Sequence, residues 1–228
     1  MLYNICYMFL LFIIYSFLGW VVEVINFLLH DKRFINRGFL IGPYCPIYGV
    51  GLILITTFLK EYIDSYLVVF VMSMFICMVL EYFTSYVMEK LFNARWWDYS
   101  SRRFNINGRI CLETTIPFGL GGMFIMYIVN PLIEKLLLLL SNKVLIIIAV
   151  VLMIIFVTDL IISLVIVLKI KDINIGRIKD NTEEINKKVK EYLKKKSVLT
   201  RRLVDSFPSF KLNIDSIKNI KNKIVRKK

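Results

Sequence analysis

Long apolar stretches alternate with short polar segments along the first three quarters of the chain. Five of them approach the roughly 20 apolar residues that a helix needs to cross a hydrocarbon core of about 30 Å. They cover residues 4–29, 38–59, 65–88, 110–133 and 144–168. The pattern predicts an all-α, polytopic integral membrane protein whose five transmembrane helices form a domain over residues 1–168.

Two of the five stretches carry Pro and Gly where an ordinary helix does not. Pro43 and Pro46 disfavour helical geometry in the residues before them, and Pro46 suits the first turn of a helix. We therefore expect residues 38–45 to enter the membrane as irregular backbone, which is tolerated only inside protein or along a wet cavity. The fourth stretch has Pro117 followed by three glycines within five residues. Both stretches are predicted to be Pro/Gly-broken spans.

The first four stretches suggest two copies of one helix-loop-helix unit. The first stretch carries Glu23 and leads through Asn36-Arg37-Gly38 to a broken span. The third carries Glu81 and leads through Asn107-Gly108-Arg109 to the other broken span. Interrupted helices in matching positions indicate a binding site between repeats. The alternative is that Pro and Gly are simply frequent in membrane helices.

Charge is distributed unevenly, and its distribution predicts the orientation. Of the 30 Lys and Arg residues, 19 follow residue 168, against 7 of the 17 Asp and Glu residues. Cytoplasmic segments of membrane proteins are enriched in Lys and Arg. We expect the amino terminus outside and a basic cytoplasmic tail over residues 169–228, with an amphipathic helix near residues 177–196. Such a tail is attracted to anionic inner-leaflet lipids, whereas no motif supports nucleic-acid binding.

Acidic side chains inside the apolar stretches are the strongest functional candidates. A carboxylate at bilayer depth costs about 2.5–3.5 kcal/mol and needs a partner. We expect Glu23 and Glu81 to be charged or proton-binding groups of a solute or ion pathway, with Arg37 and Arg109 as counter-charges. The alternative is that these ion pairs only lock the helix bundle. Additional candidates, at helical spacing or near span ends, are Asn26, Glu113 and Asp159.

The loop between the third and fourth stretches is dense in aromatic, amide and charged residues. Trp96 and Tyr99 suit the headgroup region, and anchoring there is one interpretation. The other is a rim around a polar cavity, where arginines offer planar forks to an anionic or polar solute. The candidate rim residues are Arg95, Asp98, Arg102, Arg103, Asn105, Asn107 and Arg109.

Recognisable catalytic chemistry is lacking in the sequence. It contains no phosphate-binding loop, no HExxH motif and no GxSxG motif. A single His and four scattered Cys do not suggest a metal site. We therefore predict neither a cofactor nor a metal, and favour a non-enzymatic role.

Several long motifs resemble one bacterial family, known as Putative ABC-transporter type IV. They are FLGWVVE at 17–23, NRGFLIGPYCPIYG at 36–49, RWWDYS at 95–100, FNINGR at 104–109 and RLVDSFPSFK at 202–211. The resemblance covers nearly the whole chain and implies a permease subunit in the bacterial cytoplasmic membrane. It also implies importance for Glu23, Arg37, Trp96, Asp98, Tyr99, Asn105 and Arg109.

The leading hypothesis is a transport component with a cavity open to the cytoplasmic half of the bilayer. Because the chain has no nucleotide-binding loop, a separate ATPase subunit would supply the energy, and few spans per chain favour a homo- or hetero-oligomer. Two alternatives remain open. One is a membrane-embedded enzyme acting on a lipid or headgroup at the cytoplasmic interface, and the other is a non-catalytic scaffold.

Overall fold

Four helical segments are long and apolar enough to cross a membrane. They are Leu2–His30, Tyr66–Phe92, Leu112–Leu138 and Asn142–Leu168. The structure is a computed structural model, and it describes residues 1–32, 34–92, 94–171, 191, 194–195, 197–207 and 211–212. Most of the predicted amphipathic helix at residues 177–196 lies outside the described residues. The chain is thus a mostly helical membrane protein.

The elements follow the chain in this order. The helices are α1 (Leu2–Asp31), α2 (Pro46–Phe58), α3 (Tyr66–Phe92), α4 (Leu112–Phe124), α5 (Asn130–Leu138), α6 (Asn142–Lys171) and α7 (Val198–Ser206). A 3₁₀ turn covers Lys60–Tyr62 and a π-helical turn covers Ile125–Val129. Strands β1 (Ala94–Arg95) and β4 (Lys211–Leu212) pair antiparallel, as do β2 (Asn105–Ile106) and β3 (Ile110–Cys111).

The second apolar stretch does not form a spanning helix by itself. Helix α2 has 13 residues, which rise only about 20 Å. Cys45 has extended backbone and Pro46 is the first helical residue, as the proline spacing predicts. The structure therefore has four spanning helices within the described residues, whereas the sequence predicts five.

The fourth stretch stays helical through its Pro and Gly residues, so no break occurs where the sequence places one. Pro117 lies inside α4, and the helix continues to Phe124. The irregularity comes later, as the π-helical turn Ile125–Val129 that joins α4 to α5. Pro117 is the sixth residue of α4, so its missing N–H removes one i→i−4 hydrogen bond, the one to the Glu113 carbonyl, and the helix tolerates this loss.

Close contacts join α1 to α2 and α3 to α4. A Cβ atom on Gly19 of α1 would lie 2.3 Å from the Tyr48 ring of α2. A Cβ atom on Gly122 of α4 would lie 2.4 Å from Ser73 Oγ of α3. Glycine lets helix backbones approach closely. The two helix pairs correspond to the two units that the sequence pattern indicates.

The irregular segment before α2 has its backbone groups bound by distant side chains. Asp159 of α6 accepts hydrogen bonds from the backbone N–H groups of Ile41 (3.0 Å) and Gly42 (2.7 Å). Arg202 of α7 donates to the carbonyl oxygens of Leu40 (2.6 Å) and Phe39 (3.1 Å). A segment without its own ladder needs such partners where water is scarce. Side chains from α6 and α7 therefore supply the hydrogen-bond partners that a helix would provide within its own backbone.

Helix α7 packs against the membrane domain. Leu203 and Val204 are buried with Phe92, Trp96 and Val167. Ser206 Oγ donates to the Asn36 carbonyl (2.6 Å), which ties α7 to the irregular segment. Ser197 caps the helix by accepting from the Leu199 N–H. This part of the basic tail is thus an integral part of the fold.

We predict that Asp159→Asn destabilises the protein by about 3 kcal/mol. The amide replaces one acceptor oxygen with a donor that faces backbone N–H groups, and charge-assisted bonds are lost. Thermal unfolding in detergent measures the effect. In a background with Cys6, Cys77 and Cys111 replaced by Ala, maleimide should also label the buried Cys45 faster.

The control for this prediction is Thr158→Val on the same helix. Thr158 is exposed, and its hydroxyl donates to the Ile154 carbonyl of its own helix (2.8 Å). Such surface changes shift stability by about 0.5 kcal/mol or less. Equal effects of the two substitutions would contradict the role of Asp159.

Candidate functional site

The loops at one end of the bundle enclose most of the sequence-predicted residues. We call this end the loop end, and define it by residues 34–45, 94–111 and 197–207. Arg37 pairs with Glu23 of α1, with 3.3 Å between Nη2 and Oε2. The Tyr48 hydroxyl donates to the other carboxylate oxygen of Glu23 at 2.7 Å. Glu23 therefore has both a counter-charge and a hydrogen-bond donor.

Arg37 is held from several sides at once. Its guanidinium lies 5.1 Å from the Phe27 ring centroid and 5.7 Å from that of Phe207. It also donates to the backbone carbonyl of Ser206 in α7. Aromatic faces attract cations, and a planar guanidinium fits between rings. The tail therefore takes part in placing the charge that neutralises Glu23.

Glu81 has a different environment from Glu23. It is 7% exposed and sits on α3, about 16 Å from the helix end. The Tyr99 hydroxyl donates to Oε1 at 3.2 Å. Among the described residues, no group donates to Oε2. Glu81 is a buried carboxylate with one hydroxyl partner and no direct ion pair in the described part of the chain.

Tyr99 reaches Glu81 because the loop fixes its backbone. The Tyr99 N–H donates to the Gly108 carbonyl at 2.8 Å. Burial, followed by the negative charge of Glu81, raises the pKa of the Tyr99 hydroxyl. The hydroxyl therefore keeps its proton at neutral pH and acts as a donor to the carboxylate.

Arg109 pairs with Glu89, whereas the sequence pattern suggests Glu81. Nη2 lies 2.9 Å from Glu89 Oε2, and Nη1 donates to Ser85 Oγ at 3.3 Å. Arg95 shares the same Glu89 oxygen at 3.2 Å and lies 3.5 Å from Asp98. Glu89 is one turn beyond Ser85 and two beyond Glu81, all on one face of α3. This spacing of four residues in the sequence could have identified Glu89 as a second acid on the same face as Glu81.

A tight turn stabilises the loop between α3 and α4, residues 94–111, which we call the rim loop. Asn107 and Gly108 have φ of 53° and 66°, and the Arg109 N–H donates to the Ile106 carbonyl at 3.0 Å. Two successive positive φ values define the turn for which Asn-Gly is the preferred sequence. Asn105 supports it by accepting from the Gly108 N–H at 3.0 Å. Asn105 is thus a structural residue of the loop.

Trp96 is buried and contacts other aromatic rings, so it does not lie at the protein surface. It is 3% exposed, and its ring centroid lies 4.9 Å from Phe207 and 5.8 Å from Phe39. Edge-to-face pairs of this kind stabilise a fold beyond the area they bury. Trp96 therefore joins the rim loop to the irregular segment and the tail. Its burial leaves little of the ring free to contact lipid headgroups directly.

The three additional candidates form no hydrogen bond or ion pair with Glu23 or Glu81 among the described residues. Asn26 is exposed, and its backbone carbonyl contacts His30 Nδ1 at 2.9 Å. Glu113 pairs with Arg102 at 2.8 Å in a largely exposed bridge. Asp159 binds the irregular segment, as described above. Their contacts indicate structural or surface roles.

Glu23 and Glu81 belong to one electrostatic environment that spans the two helix pairs. Their carboxylates repel each other, and the buried Tyr48 feels the charge of both. Tyr48 and Tyr99, which sequence reasoning did not assign to these acids, present hydroxyl groups to them. Across the described residues no group of three His, Cys, Asp or Glu side chains has the arrangement of a metal site. The two carboxylates and two tyrosine hydroxyls could therefore bind a polar or charged ligand between the apolar helices.

We predict that Glu89→Gln lowers stability by about 3 kcal/mol. The substitution leaves Arg109, whose side chain is 10% exposed, and Arg95 without their shared counter-charge. The matched control is Glu113→Gln, whose partner Arg102 is 61% exposed. An exposed pair contributes about 1 kcal/mol or less. Similar losses for the two variants in thermal unfolding would contradict this difference.

Comparison with known proteins identifies the family. A family model described as Putative ABC-transporter type IV matches residues 10–164. Searches of curated proteins and of solved structures gave no match. The matched region begins in α1 and ends in α6, so it contains both helix pairs and the rim loop. The chain therefore belongs to the Putative ABC-transporter type IV family.

Proposed function

We propose that this protein is the membrane component of a transporter, with a polar cavity between the α1–α2 and α3–α4 pairs. The cavity opens toward the loop end. The observation that carries the proposal is Glu81, a buried carboxylate on an apolar helix with one oxygen unpartnered among the described residues. Ionisable residues within membrane helices commonly mark pathways for ions or solutes.

The family and the helix pairing support this proposal. The family is a putative class of ABC transporter, and ABC permeases work with ATP-hydrolysing subunits. Substrate sites of transporters often lie where two structural repeats meet, near interrupted helices. Glu23 and Glu81 come from the two pairs and interact electrostatically. Around them, Arg37, Trp96, Asp98, Tyr99, Asn105 and Arg109 shape the entrance.

The proposed topology has the amino terminus outside and the loop end in the cytoplasm of a bacterial cell. Lys and Arg at this end follow the positive-inside rule, and the basic tail faces anionic inner-leaflet lipids. Helix α2 and the irregular segment before it together make a fifth crossing. The backbone groups held by Asp159 and Arg202 support irregular chain at that depth.

Cysteine accessibility tests the cavity. In a Cys-free background, Glu81→Cys should react with a charged, membrane-impermeant thiosulfonate applied to the loop end and not from the opposite side. Phe83→Cys is the control, because Phe83 is 62% exposed on the outer face of the same helix and would face lipid. Equal reactivity at both positions would contradict a water-filled path beside Glu81.

Isolation from native membranes in mild detergent tests the transport assignment. We expect an ATP-hydrolysing subunit to co-purify, with vanadate-sensitive hydrolysis in the complex. Glu81→Gln should retain the partner and reduce hydrolysis, because the substitution changes the pathway and leaves the contact surface unchanged. A monomer without ATPase that turns over a lipid would instead establish the enzyme alternative.

A further inference from the structure

The charges around Glu81 determine which ligand the proposed cavity can accept. Arginines at a cavity entrance suggest an anionic solute when only the sequence is considered. In the structure, four guanidinium groups at the loop end face carboxylates: Arg37 faces Glu23, Arg102 faces Glu113, and Arg95 and Arg109 together face Glu89 and Asp98. These arginines are therefore already neutralised.

Glu81 is the exception in this charge pattern. Its contact in the described part of the chain is the neutral Tyr99 hydroxyl on Oε1, and its Oε2 lacks a donor there. The nearby Glu23 is compensated by Arg37, so an ionised Glu81 adds one negative charge that no guanidinium of the described residues pairs with. A buried charge without compensation is unfavourable until a counter-charge arrives.

We infer that Glu81 is a binding site for one positive charge, supplied by a proton or by a small monovalent cation such as Na⁺ or a primary ammonium. This inference names the ligand class of the cavity and rests on the proposed function. The carboxylate supplies the charge. The hydroxyl oxygens of Tyr99 and Tyr48 supply neutral oxygen atoms near the two acids. Bulky cations are excluded by the burial of Glu81.

Other titratable groups near Glu81 have to be separated from it in a test. They are Glu23 of α1, Tyr48 of α2, Cys77 of α3 itself and Tyr99 of the rim loop, with Cys111 next to Tyr99. Replacement of Cys77 and Cys111 by Ala removes the thiols. Substitution at Glu81 then distinguishes its response from those of the tyrosines and Glu23.

Thermal unfolding of the purified full chain in detergent provides the test. Na⁺, K⁺ and methylammonium are titrated separately at constant ionic strength, with choline chloride as the bulky balancing salt. A ligand that binds only the folded state raises the unfolding midpoint in a saturable manner. We expect one of these cations to do so. In Glu81→Gln, the concentration of that cation at half-saturation should rise about 30-fold or more.

A second series identifies a proton as the ligand. The unfolding midpoint is followed against pH in choline chloride alone. If none of the cations acts but a pH-dependent change is present in the wild type and lost in Glu81→Gln, the positive charge is a proton. Glu81→Asp keeps the carboxylate and should retain a weakened response, which covers the case in which the Gln variant folds poorly.

The control and the contradicting results are equally specific. Glu113→Gln removes an exposed carboxylate and should leave every response unchanged. Wild-type unfolding that depends on neither cations nor Glu81-linked pH would overturn the inference, as would an identical response in Glu81→Gln. This measurement uses the purified chain and depends neither on an ATPase partner nor on cysteine labelling. Failure of the cation site is therefore distinguishable from failure of the transport assignment.

Discussion

The backbone of residues 34–45 has to satisfy its hydrogen bonds without forming a helix, and the loop end is organised around that requirement. Asp159 of α6 binds two backbone N–H groups, and Arg202 of α7 binds two carbonyl oxygens from the opposite direction. Burial lowers the pKa of the Arg202 guanidinium, and the charge of Asp159 opposes this effect. Ser206 adds a bond to the Asn36 carbonyl. One short segment thereby ties α6 and the tail to the α1–α2 pair, and it carries Arg37 to Glu23.

The same segment explains why the tail belongs with the candidate site. Arg37 donates to the Ser206 carbonyl and faces the Phe207 ring, while Trp96 of the rim loop packs on that ring. The charge that neutralises Glu23 is thus positioned jointly by α1, the irregular segment and α7. Within the part of the chain that the structure describes, Glu81 of the α3–α4 pair has no corresponding ion pair, since Arg109 pairs with Glu89. Two units that look alike in sequence consequently present one compensated and one uncompensated acid.

Much of the fold and part of the site follow from local pattern. Stretches of apolar residues identify the spanning helices, and the Pro43 and Pro46 spacing predicts irregular backbone before α2, where Cys45 is indeed extended. Asn107-Gly108 identifies a tight turn, which the positive φ values confirm. Pro117 was a misleading signal, because α4 continues past it despite the one backbone hydrogen bond that a proline at this position removes. The local pattern also predicted a span over residues 38–59, whereas α2 has only 13 residues and is too short to span alone.

The sequence by itself determined the membrane class, the approximate extents of the four long helices and the presence of acids and arginines in and beside them. These depend on composition and on spacing along one helix. Only the tertiary structure decided which acid meets which arginine, because most partners lie on different elements and the path of the loops sets which carboxylate each guanidinium reaches. It placed Trp96 in a buried aromatic cluster and Asp159 on the backbone of residues 41 and 42. It also left Glu81 facing a tyrosine hydroxyl, while Arg109, the counter-charge that the sequence pattern suggests for it, is bound by Glu89.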